Sequence, residues 1–337
     1  MDIEQLWREM EKEPGSPMGG WVQRRLLPHS GLNLYVTIDR PGARRTLRFS
    51  VPVSMVDSVT PLKNSKGIDA TIIKEDDDRR KSVLLSLQDP KYSAVFTSLC
   101  ADLIEVVRAH SDEETSALRA FLDRFGRWQQ FLERMGTQAM SSEAQIGLYA
   151  ELTLLLEDIL PRSPSLAGVA WWTGPERTHQ DFQLPSAAIE VKATHQISPV
   201  RIVISSERQL DSTGFKRLLL VHSAWDVRLG NTSTLPIRIE ELRTRLRGSA
   251  WLELFENRLL SAGYSDIHKD QYRDTTYALR KEMIFDVRVG FPRLIEESLP
   301  AGVSSVGYSI DLAMCRPFEV GRSVLASLIS EVSHGSG

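Results

Sequence analysis

Three residues, Asp181, Glu190 and Lys192, combine types and spacing that can do chemistry. In Ala188-Ile189-Glu190-Val191-Lys192-Ala193 charged and apolar side chains alternate, and on a strand residues two apart share a face. Glu190 and Lys192 therefore stand side by side, and Ile189 and Val191 take the other face. An acid and an amine among apolar runs are expensive to bury unless they are paired or coordinate something. Asp181 lies nine residues before Glu190, in His179-Gln180-Asp181-Phe182, and Pro185-Ser186 marks a turn between the two runs. A hairpin folded there brings Asp181 to Glu190. Two converging carboxylates suit Mg²⁺ or Mn²⁺, hard cations that take oxygen ligands. A lysine beside such a metal can orient or help deprotonate water, or stabilise charge on a phosphate, which is the chemistry of phosphodiester hydrolysis.

A third acid is sought on the preceding helix, where Leu148, Leu152, Leu155 and Ile159 form one apolar stripe and Glu151 falls inside it. Glu151 is expected to reach toward Asp181 and Glu190, with Gly147, one turn earlier, allowing the sheet to approach closely. Glu143 is the fallback. Alone, Glu190 and Lys192 would read as an ordinary surface ion pair worth little. Their weight comes from Asp181 and Glu151.

The elements that position these residues fall in two regions. Runs at 32–38, 46–53 and 82–87 read as strands of a β-rich domain over 1–90, and the charged run Lys74 to Lys81 reads as a solvated hairpin tip. From Tyr92 the period becomes helical, through Val95, Leu99, Leu103 and Val107. A second helix follows over 113–135, its aromatics Phe121, Phe125, Trp128 and Phe131 spaced as a packed stripe. Together the two give a helical connector over 91–137. Ser142 with Gln145 reads as a capping box opening a helix over 143–160. Strand-like runs follow at 168–173, 180–184, 187–194, 200–205 and 217–223, then helices over 236–262, then runs at 274–279, 283–289 and 304–312. The expected class is α+β with an α/β core, occupying 138–325, with a tail at 326–337.

Composition narrows the field. With 42% hydrophobic and 25% charged residues and no long apolar run, the 337-residue chain reads as globular and without a membrane span. Its start has no apolar core of a secretory signal, so a cytoplasmic location is expected. The two cysteines, Cys100 and Cys315, have no zinc-ligand spacing and read as buried thiols. A net charge of −3 exerts no global pull on nucleic acid, which would have to be held by local cationic clusters.

The arrangement resembles the PD-(D/E)XK nuclease superfamily: Asp181, then Glu190-Val191-Lys192, after a helix reading Gly147-Leu148-Tyr149-Ala150-Glu151-Leu152. Gln180 stands where the superfamily's name has Pro. With Trp172-x-Gly174-Pro175 and Ser205-Ser206-x-x-Gln209-Leu210, the chain is similar to a bacterial family of PD-(D/E)XK proteins associated with restriction and phage-defence clusters. The resemblance implies a restriction-endonuclease-like mixed sheet flanked by helices. It implies Asp181, Glu190 and Glu151 as ligands of Mg²⁺ (or Mn²⁺), Lys192 completing the site, and Gln209 contacting a phosphate or bracing the lysine. It also implies DNA as partner, ATPase, helicase or methylase subunits beside it, and a homodimer.

DNA contacts are sought at Arg238, Arg243, Arg245 and Arg247, with Arg273, Arg280 and Lys281 as a second cluster, and at His179. The bland readings are a solvated amphipathic helix for the first cluster and a structural role for His179. His195 is a weaker candidate. Trp171 and Trp172 could stack on a base, although core burial is the simpler reading. The function expected is a Mg²⁺-dependent DNA endonuclease of restriction or phage defence. Its alternatives are a catalytically silent DNA-binding scaffold of a defence complex and an RNA-directed nuclease.

Overall fold

The computed structural model describes residues 2–13, 20–40, 42–56, 62–76, 78–176, 178–198 and 200–334. The chain divides into two compact units between Gln138 and Ala139.

The first unit opens with α1 (Ile3–Lys12), whose N-cap Asp2 accepts from the Glu4 and Gln5 amides. Strands β1 (Gly20–Arg25), β2 (Asn33–Arg40) and β3 (Arg44–Pro52) follow, then one helical turn α2 (Val53–Val56), then β4 (Ile68–Lys74) and β5 (Arg80–Leu87). They form one antiparallel sheet in the order β1-β2-β3-β5-β4. Helices α3 (Ser93–Ala109) and α4 (Glu114–Met135) complete the unit. Expected as a connector over 91–137, these helices belong to this compact unit, because their buried stripes need partners: Phe121 of α4 packs on Phe49 of β3. Part of the charged run does join β4 to β5 as a hairpin link, with the Glu75 amide bonded to the Arg80 carbonyl; Asp77 and Pro41 lie outside the described residues.

The second unit begins with α5 (Ser142–Leu154), which continues through a π-helical turn at Leu155–Ile159. Its cap is Ser141, not Ser142: the Ser141 hydroxyl accepts from the Ala144 amide, and Gln145 donates to the Met140 carbonyl. The expected stripe of Leu148, Leu152, Leu155 and Ile159 is buried, each such side chain contributing about 1.5–3 kcal/mol. The run at 168–173, expected as a strand, is 3₁₀-helical over Pro164–Trp171, and only Trp172 bridges to a strand residue, Phe182. Its apolar residues pack on a helix instead of entering a ladder.

Strands β6 (Phe182–Gln183), β7 (Ala187–Thr194) and β8 (Arg201–Ile204) come next, then a 3₁₀ turn at Glu207–Leu210, β9 (Arg217–Leu229), α6 (Leu235–Leu246), α7 (Trp251–Ala262) and the short α8 (Lys269–Tyr272). The runs at 274–279 and 283–289 merge into a single strand, β10 (Thr275–Asp286), because a register shift between Leu279 and Lys281 absorbs the charged break. β11 (Tyr308–Asp311), α9 (Leu312–Cys315), β12 (Glu319–Val320) and α10 (Arg322–His334) complete the unit. The expected tail from 326 is largely this last helix, anchored by buried Leu325, Leu328 and Ile329.

The central sheet runs β12-β10-β9-β7-β6. Only its β7–β9 pairing is parallel, so the sheet is mixed, and β8 and β11 form a separate antiparallel pair. Helix α5 packs on β7. One face of the sheet buries Ala188, Leu218, Leu220, Met283 and Phe285 against Ile202, Ile204, Leu210 and Ile310. This is the mixed, helix-flanked α+β architecture expected. Among the described residues no helix is long and apolar enough to cross a membrane.

Candidate active site

The hairpin of β6 and β7 sets the first two acids. Phe182 pairs with Ile189 and Gln183 with Ala188, which leaves Asp181 at the open end of the short strand, beside Glu190. The Asp181 Oδ2 accepts from the Val191 amide at 2.7 Å, and its carbonyl accepts from the Thr173 and Gly174 amides at 2.8 and 2.9 Å. A Cβ on Gly174 would lie 2.8 Å from Asp181 Oδ1 and 3.1 Å from its Cα, so this glycine is required for the wrap. Gly147 is different. A Cβ there would meet no atom within 4 Å among the described residues, so it is not needed for the sheet to approach.

Glu190 is 1% exposed, and its Oε1 lies 2.8 Å from Lys192 Nζ. Apart from that ion pair, neither buried oxygen of Glu190 has a hydrogen-bond partner. Lys192 also donates to Gln209 Oε1 at 3.0 Å, and that oxygen accepts from the Ser205 amide at 2.8 Å. Glu151 Oε2 accepts from Trp172 Nε1 at 2.7 Å. Trp172 is thus a buried core residue with a polar task; the indole N–H of a buried tryptophan needs an acceptor, and here a site acid supplies it.

The electrostatics show how close these groups stand. Burial and the neighbouring Asp181 push the Glu151 carboxyl up to about 8, against the pull of Trp172 and Lys192. Burial also raises Asp181, although Lys192 and the Val191 amide oppose it. Burial, then Asp181, pushes Glu190 well above the usual carboxylate range. Burial works to lower Lys192, but Glu190, Asp181 and Glu151 outweigh it and keep the ammonium above its ordinary value. Three acids and one amine therefore share one desolvated region with too little positive charge.

A family model described as "Putative PD-(D/E)XK family member, (DUF4420)" matches residues 3–313. The chain belongs to that family. No curated protein and no solved structure matches it. Membership in a PD-(D/E)XK family makes nuclease chemistry with a divalent metal the coarse expectation for this site.

A cation fits the donor set. Apart from the Lys192 ion pair, the two buried carboxylate oxygens of Glu190 lack hydrogen-bond partners, and three acids are held above their usual range, which is the charge deficit a divalent ion relieves. As the side chains stand, no three His, Cys, Asp or Glu among the described residues form a ready ligand cluster. Lys192 is the cation paired with Glu190.

The other candidates are exposed or paired elsewhere. Glu143 is exposed, as are His179 and His195. Arg238 pairs with Glu157 and Glu241 and lies over the Tyr149 ring, and Arg243 pairs with Glu256 and Asp266, so both guanidinium groups are committed within the protein. Arg280 is bound to Asp226 and the Gln196 carbonyl, and Arg273 to Asp270. Arg245, Arg247 and Lys281 are exposed. Cys100 and Cys315 are buried thiols. Sequence reasoning missed Gln180 as a working side chain and Trp172 as a partner of Glu151. Glu151 inside the apolar stripe of α5 is the one signal that points to the second.

Proposed function

We propose that the protein is a Mg²⁺- or Mn²⁺-dependent DNA endonuclease acting in a restriction-like or phage-defence setting. The observation that carries this reading is the buried Glu190 carboxylate, short of partners and crowded by Asp181, Glu151 and Lys192. Asp181, Glu190 and Glu151 would hold the metal, which when bound supplies Lewis acidity and a more acidic water.

The chain's own residues do the rest. Asp181 is fixed through Oδ2 and the Gly174 wrap, and Glu151 through Trp172, so two acids are oriented before any ligand arrives. Lys192 is held protonated between Glu190 and Gln209, and in that state it acts as a donor to phosphate oxygen rather than as a base. Arg245, Arg247 and His179 are the exposed cationic and polar groups proposed to meet the DNA backbone. ATPase, helicase or methylase subunits and a second copy of the chain are partners that the resemblance alone suggests.

The absence of a ready three-ligand cluster among the described residues favours a second reading, a catalytically silent DNA-binding scaffold. Cleavage of supercoiled plasmid DNA, methylated and unmethylated, with Mg²⁺, Mn²⁺ or EDTA, separates the two. The nuclease reading expects metal-dependent nicking that Asp181→Ala and Lys192→Ala each reduce by about 10³-fold with circular dichroism unchanged. Equal cleavage by wild type and Lys192→Ala would sink it.

A further inference from the structure

The residue before Asp181 is buried to 3% exposure and spends its side chain on a distant turn. Gln180 Nε2 donates to the Arg208 carbonyl at 2.8 Å and to the Asp211 carbonyl at 3.2 Å, and its Oε1 accepts from Gln183 Nε2 at 3.1 Å. Arg208 lies within the 3₁₀ turn Glu207–Leu210 and Asp211 is its C-cap, so the two carbonyls flank Gln209 and Leu210. Gln209 presents one oxygen to Lys192 Nζ. The Gln180 carbonyl is tied in turn to the Thr178 hydroxyl at 2.9 Å, within the same wrap that fixes Asp181.

We propose that Gln180 is a positioning residue: it clamps the turn that aims Gln209 at Lys192, and so couples the placement of the lysine to that of Asp181 on the adjoining peptide. The physical basis is directional. A buried amide with both donors used on carbonyls three residues apart fixes the turn's distance and its rotation, where an apolar side chain of the same size would fix only the distance. A proline at this place could bound the hairpin but could not donate to the turn. Because Gln209 also accepts from the Ser205 amide, its carboxamide has little freedom once the turn is set, and Lys192 receives a fixed acceptor besides Glu190.

The inference rests on the nuclease reading for its effect on turnover but not for its effect on Lys192 itself. Two readouts keep the two failures apart. In metal-free protein carrying isotope-labelled lysine, the Lys192 ammonium resonance is followed by NMR in wild type, Gln180→Met, Gln209→Met and the double variant. Gln180→Met is expected to move that resonance in the same direction as Gln209→Met, and the double variant to move it no further than Gln209→Met alone. In plasmid cleavage the same variants are expected to lose about 10–100-fold in kcat with KM within about twofold of wild type, again without multiplying in the double variant. A Lys192 resonance that Gln180→Met leaves in place, while Gln209→Met moves it, overturns the proposal, and so do losses in kcat that multiply.

Should Gln180→Met fail to fold, Gln180→Glu keeps the size and the acceptor for Gln183 but removes the donors to Arg208 and Asp211, and the same outcomes apply. A wild-type protein that cuts nothing, with the Lys192 resonance still moved by Gln180→Met, would reject the nuclease reading and keep the positioning role.

Discussion

The first unit and the second hold the same kinds of acidic side chain and treat them in opposite ways. In the first, Glu75 is reached by Arg48 at 3.0 Å and by the Ser82 hydroxyl at 2.5 Å; burial works against its charge, yet Ser50, Ser82 and Arg48 hold the carboxyl below its ordinary value. Glu4 is likewise held low against burial, by Arg45, Thr97 and Arg8. In the second unit, Glu190 is buried with no hydrogen-bond partner beyond its Lys192 ion pair, and three acids are pushed up together. A half-buried carboxylate whose charge is satisfied belongs to the architecture. One whose charge is left wanting marks where a ligand is expected.

The largest test of that contrast is a paired amide substitution. Glu190→Gln is expected to lower metal-dependent cleavage by about 10³-fold or more with little change in the melting temperature, because the fold satisfies this carboxylate only in part, through Lys192, and the lysine keeps Gln209 as a partner. Glu75→Gln is expected to do the reverse, costing about 1.5–3 kcal/mol in urea unfolding and leaving cleavage intact. Loss of stability in Glu190→Gln, or of cleavage in Glu75→Gln, would break the comparison.

Next in size is the pH dependence of stability. Glu151 is raised to about 8 from an ordinary 4.5, so between those values the folded protein binds more protons than the unfolded chain. Its contribution is present in full below the ordinary value and is lost as pH rises through about 8. Glu75, held low, contributes stability that is present above its ordinary value and lost as pH falls through the lowered one. Thermal melts of metal-free protein should therefore show a decline between about pH 4.5 and 8 that Glu151→Gln flattens and Mn²⁺ offsets, and a separate decline below the ordinary carboxylate value that Glu75→Gln flattens. A limb between about pH 4.5 and 8 unchanged by Glu151→Gln would show that Glu151 is not raised.

The smallest effect concerns Gly147. With no atom near its missing Cβ, Gly147→Ala should raise stability by about 0.5–1 kcal/mol through helix propensity alone. A destabilised variant would restore the close approach that the sequence suggested.

The parts of the molecule with strong local periodicity were legible from sequence. β7 runs over the residues that alternation marks, and the stripe on α5 isolates Glu151 as an acid needing a reason. Exposed or long-range features were not. β1 is an exposed edge strand with no alternating apolar signal, so its residues do not announce a strand. The Val169–Trp172 segment has strand propensity, but Arg258 of α7 bonds the Val169 carbonyl and Phe255 packs against Trp172, and that tertiary context wins. Arg238 and Arg243 look available in sequence because Glu157, Glu256 and Asp266, which hold them in addition to acids of their own helix, lie on other elements. Gln180 carried no signal at all, since a lone glutamine shows its worth only through the carbonyls it meets.

The bond from Trp172 to Glu151 also gives the molecule an optical probe of its own. An indole's emission responds to charge placed beside its N–H, and this one donates to a carboxyl that titrates at about 8. The chain has seven tryptophans, so the difference in fluorescence between the wild type and Trp172→Phe isolates the signal. That difference spectrum would follow proton and metal at Glu151 in unlabelled protein, with no substrate present.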